Sequence, residues 1–200
     1  MHIDTQDDIN ENSWILSKLE LKFLVEVASK DEARKNLNGI LFDAERRVVA
    51  ATDGHRLARC HLSTKALGKT QSLMPRDEAE HIMKRAKNGD RIVIRPNCTT
   101  AMVSIVGRKG ETLTSEVKLR TDVTFPPHEQ VIPNDYDCRE AEPMVGMNAG
   151  YLSAALIMQN AAATHAVKLH VGRHLEPIVL QAENPHDGSR WEYVVMPMRI

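Results

Sequence analysis

The stretch Trp14-Ile15-Leu16-Ser17-Lys18-Leu19-Glu20-Leu21 decides how this chain of 200 residues folds. Trp14 to Leu16 read as a short strand. Ser17 then offers a hydroxyl that caps a helix, and Glu20, three positions on, reaches back to close a capping box. Leu21, Leu24, Val25 and Ala28 follow at the spacing of one helical face, so a helix is predicted to end near Ser29. Three strand-like runs come next, Asn38 to Asp43, Arg47 to Thr52 and Leu57 to Leu62, parted by Ala44-Glu45-Arg46 and by Asp53-Gly54. The order is strand, helix, three strands.

The same order recurs further along. Ser72 to Met74 read as a strand and Pro75 as the first helical residue, where its missing N–H costs nothing. Asp77 and Glu78 suit the positive helix end, and Ala79, Ile82, Met83 and Ala86 form the apolar stripe. Asn88-Gly89 stops this helix before Arg91 to Ile94, Thr100 to Val106 and Thr112 to Leu119. A third unit gives Pro143 to Met147 as a strand, Asn148 as a cap, and a helix to about Ala162. Val167 to Val171, Pro177 to Ala182 and Glu192 to Met198 complete it. The fold class predicted is α+β, with three βαβββ repeats and helices on one face of antiparallel sheets. A Pro-rich passage from Phe125 through Pro133 to Pro143 suits a boundary better than a central strand. Residues 13–133 then make one complete domain of two units and 134–200 a half domain. Met1 to Asn12, with Asp4, Asp7, Asp8 and Glu11, read as a disordered acidic tail. The third helix is apolar nearly all round, from Tyr151 through Met158, which predicts burial on more than one face and packing against another chain.

Composition excludes several function classes. Lys and Arg number 26 against 27 Asp and Glu, so the net charge of -1 argues against a globally basic nucleic-acid binder. Aromatic residues are 4% of the chain, too few for a base-stacking platform. Cys60, Cys98 and Cys138 are far apart and odd in number, which fits free thiols in a reducing cytosol rather than a disulfide framework. The N-terminus lacks the basic start and apolar core of a signal peptide, and no apolar run reaches a membrane-spanning length. A cytoplasmic location and no membrane partner are expected.

Two octapeptides carry a family resemblance. Ala51-Thr52-Asp53-Gly54-His55-Arg56-Leu57-Ala58, preceded by Leu37 to Phe42, resembles the middle domain of the bacterial DNA polymerase III beta subunit, the sliding clamp. Tyr193-Val194-Val195-Met196-Pro197-Met198-Arg199-Ile200 is similar to that family's terminal strand. Phe125-Pro126 and Val131-Ile132-Pro133 match the junction after the middle domain, and Asn148 with Tyr151 match the start of the last domain's second helix. The resemblance spans roughly residues 13–200. It implies a DNA-clamp fold in a shortened form, the middle domain plus the second half of the last.

What the family does then becomes an expectation for these residues. The resemblance implies a non-catalytic accessory subunit of a DNA polymerase, a processivity factor that surrounds duplex DNA without reading its sequence. It implies a groove for short peptides of polymerase, clamp loader and repair proteins, anchored by a leucine and an aromatic. By motif the lining is Thr52, Gly54, His55, Arg56, Leu57, Pro133, Asn148, Tyr151, Val194, Val195, Met196, Pro197, Met198 and Arg199. Gly54 permits a tight turn, Pro197 marks a strand edge, and Met196 and Met198 are deformable enough for several peptides. Lys18, Lys22, Arg76, Lys84 and Lys87 are the candidate DNA-facing cations, although Glu26 and Glu80 share their helix faces. A homo-oligomer is expected, a tetramer supplying as many units as the family's ring. The alternative is a non-encircling module that competes for the same peptides.

Catalytic readings are weaker. Asp53 and His55 could form an acid–base pair but lack a nucleophile and an orienting group. His165, His170 and His174 fit no metal-ligand spacing, and Gly107-Arg108-Lys109-Gly110 is a hairpin turn rather than a phosphate loop. No catalytic residue, metal or cofactor is assigned from the sequence.

Overall fold

In the computed structural model, Ser17 and Glu20 close the predicted capping box. Glu20 N donates to Ser17 Oγ at 3.2 Å, and Glu20 Oε2 accepts from Ser17 N at 2.7 Å. The structure describes residues 13–62, 71–132, 145–158, 166–172, 176–184 and 188–198. The expected acidic tail at 1–12, Pro133, Cys138, His165, His174 and Arg199 lie outside the described residues.

The first unit runs β1 (Trp14–Ser17), α1 (Lys18–Val27), β2 (Gly39–Asp43), β3 (Val48–Thr52) and β4 (Arg56–His61). The second runs β5 (Gln71–Pro75), α2 (Arg76–Arg85), β6 (Arg91–Pro96), β7 (Thr100–Val106) and β8 (Thr112–Lys118). Pro75 is a correction: it ends β5 and occupies the N-cap position, with φ −54°, instead of opening the helix. Its fixed φ and missing N–H suit that junction equally well, because no ladder or helix bond is lost there. Of the third unit the described elements are α3 (Leu152–Met158), β9 (Lys168–His170), β10 (Ile178–Glu183) and β11 (Arg190–Val195). Where its first strand was expected, the described residues show a single bridge, Gly146 to Met198.

Sheet topology adds what periodicity could not supply. The opening strands are exchanged: β1 pairs with β6 and β5 pairs with β2, so each of the first two units completes the other's sheet. The results are a four-stranded sheet, β1-β6-β7-β8, and a seven-stranded sheet, β5-β2-β3-β4-β11-β10-β9, all antiparallel. The exchange needs a close approach at Gly39, where a Cβ would lie 2.6 Å from the Met74 carbonyl oxygen.

Both sheets turn one face toward the helices. Leu21, Phe23, Leu24 and Val27 of α1 join Ile40, Phe42, Ala58, Ile92, Val103 and Tyr193 in one core. Phe23 stacks on Trp191 at 5.3 Å and meets Tyr193 edge-on at 5.8 Å, so the helix of the first unit anchors the last strand. A smaller cluster, Leu41, Val48, Ala50, Leu57, Leu73, Phe125, Val179 and Val194, covers the opposite, outer face of the large sheet. The connector that follows β8 crosses this face and includes a 3-10 turn at His128–Val131.

The third helix leaves an apolar face exposed within the chain. It packs against α1 within the same chain and buries Ala154 and Met158, but Leu152 is 44% and Leu156 63% exposed. Among the described residues, α1 covers one of its faces. Among the described residues no helix is long and apolar enough to cross a membrane. Cys60 is buried and Cys98 exposed, both free, and burial pushes the Cys60 thiol well up.

Candidate functional site

The bend between β3 and β4 is built by short-range hydrogen bonds. Thr52 Oγ1 donates to the Arg56 carbonyl at 2.7 Å and accepts from Gly54 N at 3.1 Å. Asp53 Oδ1 accepts from His55 N at 2.9 Å and from Arg56 N at 3.1 Å. Gly54 adopts φ +94°, a left-handed conformation that costs glycine little, and His55 is left exposed at the tip. Asp53 thus closes the turn through His55's backbone and pairs with Arg56, an arrangement that gives no support to an acid–base pair.

Strand register brings this bend to the terminal segment. Leu57 lies opposite Thr52 on one side and Val194 on the other, and Val194 lies opposite Val179. The ladder continues beyond β11, where Met196 N donates to the His55 carbonyl at 3.1 Å. Met198 N then donates to the Gly146 carbonyl at 2.8 Å. Alternation divides the predicted lining between two faces. Leu57 and Val194 belong to the outer cluster with Val179 and Phe125, with Val123 and Ile132 packed against it. Val195 belongs to the helix-side core, with Tyr151 partly buried against it. Accessible apolar surface is carried by Val131 and Met196, each 37% exposed, and Met198 at 53%. Leu57 and Val194 are buried and form a floor.

Arg56 does more than line a surface. Its Nε donates to Asp53 Oδ2 at 2.9 Å, one terminal nitrogen donates to the Glu26 carbonyl at 2.8 Å, and the guanidinium lies 5.0 Å from the Tyr151 ring centroid. Tyr193 Oη donates to the Tyr151 carbonyl at 2.7 Å, and burial pushes this phenol up although Arg56 beside it acts the other way. Burial opposes the charge on Arg56, yet Tyr193 and Asp53 hold its pKa above the ordinary value. One guanidinium therefore joins the bend, the end of α1 and the start of the third unit's helix. Asn148 caps that turn, its side chain accepting from Gly150 N at 2.9 Å.

A polar network flanks the floor on the outer face. Glu192 Oε2 lies 3.1 Å from His61 Nε2 and 3.6 Å from Arg59 Nε, while its Oε1 accepts from Gln181 Nε2 at 3.2 Å. Although burial works against its charge, the His61 hydrogen bond and the Arg59 guanidinium hold the Glu192 carboxyl at about 2. His170 Nε2 lies 3.1 Å from Gln181 Oε1 and so belongs to this network. A cavity of about 260 Å³ opens beside it, lined by Lys168, Gln181, Glu183, Arg190, Trp191 and Glu192, with opposite charges roughly balanced. It lies away from the Gly54 bend, and its mixed charges offer no apolar anchor point.

The candidate DNA-facing cations are mostly engaged. Lys18 Nζ donates to the Ala86 carbonyl at 2.7 Å, which ties the start of α1 to the end of α2. Arg76 and Lys84 both pair with Glu80, at 3.0 and 2.8 Å. Lys22 and Lys87 are exposed and form no ion pair among the described residues.

Sequence reasoning missed Val179, whose alternating strand gave no hint of its partner, and the Glu26 and Tyr151 contacts of Arg56, which lie far along the chain. It also missed the terminal role of Tyr193, whose hydroxyl was legible only as part of an apolar strand.

Residues 20–117 match the family described as DNA polymerase III beta subunit, central domain. No curated protein matches the chain. Among solved structures, a DNA polymerase sliding clamp from Pseudomonas aeruginosa with ligand is 19% identical with a TM-score of 0.65, covering 95% of this chain and 66% of that one. A DNA polymerase III subunit beta from Borrelia burgdorferi, in complex with a natural product, is 14% identical with a TM-score of 0.69, covering 100% and 67%. The Helicobacter pylori beta clamp in complex with Diflunisal is 15% identical with a TM-score of 0.68, covering 92% and 64%. The chain thus spans about two thirds of the length of these structures, and over that span it has their fold. In sequence over residues 20–117 and in fold over nearly all its length, it resembles DNA polymerase III beta subunits.

Proposed function

We propose, with that resemblance as the premise, that the chain is a sliding-clamp-like accessory protein that captures short peptides of replication proteins. The observation that carries this reading is the junction of β4 and β11. It sets the terminal segment against the Gly54 bend beside the floor of Leu57, Val179 and Val194, and Val131, Met196 and Met198 keep exposed apolar side chains. A leucine and an aromatic side chain find there the partly desolvated apolar surface that makes an anchor point. Methionine side chains adapt to different ligands. The test is fluorescence anisotropy of a labelled peptide bearing a leucine and a phenylalanine. Met196→Glu places a charge on the exposed rim and is expected to weaken binding at least about tenfold with little change in unfolding temperature. Unchanged affinity would remove the groove from the proposal.

Encirclement of duplex DNA by a homo-oligomer is the further part of this reading, and the non-encircling competitor remains its rival. The engagement of Lys18, Arg76 and Lys84 within the chain favours the competitor, because phosphate contacts must come from cations that are free to give them. Retention on nicked circular DNA that is lost on linearisation is the result expected of a ring. Peptide binding without such retention is the result expected of a competitor.

A further inference from the structure

Beside the groove, Asp43 at the end of β2 meets the 3-10 turn of the connector. Asp43 has no exposed side-chain surface, and the His128 side chain is only 3% exposed. Both ring nitrogens of His128 lack a hydrogen-bond partner among the described residues, although a buried imidazole left so costs about 1–3 kcal/mol. Its Nε2 lies 3.8 Å from Asp43 Oδ2 and 3.4 Å from Glu129 Oε1. One donor atom from each of the three residues falls within 4.8 Å of the others.

Those separations have a chemical meaning. A tetrahedral ion with bonds of about 2.0–2.1 Å holds its nitrogen and oxygen ligands about 3.3 Å apart, so small side-chain movements suffice to seat one. We propose that Asp43, His128 and Glu129 form a binding site for a divalent transition-metal ion of the zinc class. One imidazole and two carboxylates suit such an ion, whereas magnesium prefers oxygen and water in octahedral array. Gln71 Nε2, donating to Asp43 Oδ2 at 2.9 Å, orients the first ligand as an outer partner would. The Glu129 side chain is 39% exposed while its Oε1, the atom nearest His128 Nε2, is buried, so the site lies just beneath the surface. Arg46 occupies the ion's place as counter-charge, pairing with Glu129 and, at 3.1 Å, with Asp43 Oδ2. Its side chain is 43% exposed and can swing into solvent. The bound ion clips the connector to the sheet beside Phe125 and Ile132, and so steadies the outer face next to the peptide groove.

The test is calorimetric titration of the EDTA-dialysed full chain with zinc chloride, with magnesium chloride as comparison. One equivalent of zinc is expected to bind and to raise the unfolding temperature, and magnesium is expected to do neither. His128→Asn and Glu129→Gln should each weaken zinc binding at least about tenfold, Glu129→Gln serving if the buried variant fails to fold. Arg46→Ala should instead tighten it by about tenfold, because a like charge leaves the site. Absence of stoichiometric zinc binding, or binding equal in the wild type and Glu129→Gln, would overturn the assignment.

Discussion

Replacing Arg56 by alanine is expected to lower stability by about 3 kcal/mol, because one guanidinium serves three separate parts of the fold. The substitution removes the bond to Asp53, the bond to the Glu26 carbonyl and the contact with the Tyr151 ring. Hydrogen bonds to charged groups contribute about 1.5–3 kcal/mol each when buried, and a cation over an aromatic ring about 1 kcal/mol, though such values do not add fully. For a chain of this length the midpoint of thermal unfolding should fall by about 10 °C. Arg56→Lys should recover little, since a single ammonium cannot reach the carboxylate and the carbonyl in the same fork geometry. Urea and thermal unfolding of the three proteins check this. A loss below about 1 kcal/mol would mean that the clasp is incidental to the junction.

Acid should act on the junction through Glu192. Its carboxyl sits at about 2 in the folded protein against an ordinary value of 4.5, so folding favours the charged form. A depressed carboxyl contributes stability that is fully present above its unfolded value. That stability is lost as pH falls from about 4.5 through about 2. The displacement corresponds to about 3 kcal/mol at neutral pH, with 13% of the side chain left exposed to solvent. Wild type is therefore expected to exceed Glu192→Gln in stability by a gap that narrows across this window and is small near pH 2. Urea denaturation of both proteins at a series of pH values reads the gap directly. A gap independent of pH would show that the loss came from packing, not from the charges of Arg59 and His61.

Much of the fold was legible because local chemistry wrote it. Ser17 and Glu20 fixed the start of α1, and the recurring strand, helix, three-strand order followed from alternating periodicities and turn residues. The exchange of β1 and β5 was not legible, since an apolar run such as Trp14 to Leu16 marks a strand without naming its neighbour. Gly39 was the one local sign of it, a residue that leaves room for the Met74 backbone. In the third helix, α1 covers the face of Ala154 and Met158, and the sequence does not name what would cover Leu152 and Leu156.

The candidate site was partly legible for the same reason. The two octapeptides named the bend and the terminal segment, and antiparallel pairing of β4 with β11 sets them side by side. What sequence could not separate was face. Leu57 and Arg56 are neighbours in the chain, yet one packs in the outer floor while the other clasps Asp53 and Glu26 and lies against Tyr151. The ion pairs of Glu80 with Arg76 and Lys84 follow from helical spacing, and they weigh against free phosphate contacts on α2.

Peptide capture at the meeting of β4 and β11 is tested most directly by amide chemical-shift mapping of the isotope-labelled chain during titration with the leucine and phenylalanine peptide. The expected result is saturable shifts concentrated at Gly54 to Leu57, Val131 to Ile132 and Val194 to Met198. Shifts centred instead on Lys168, Gln181 and Arg190, or no shifts at millimolar peptide, would contradict it.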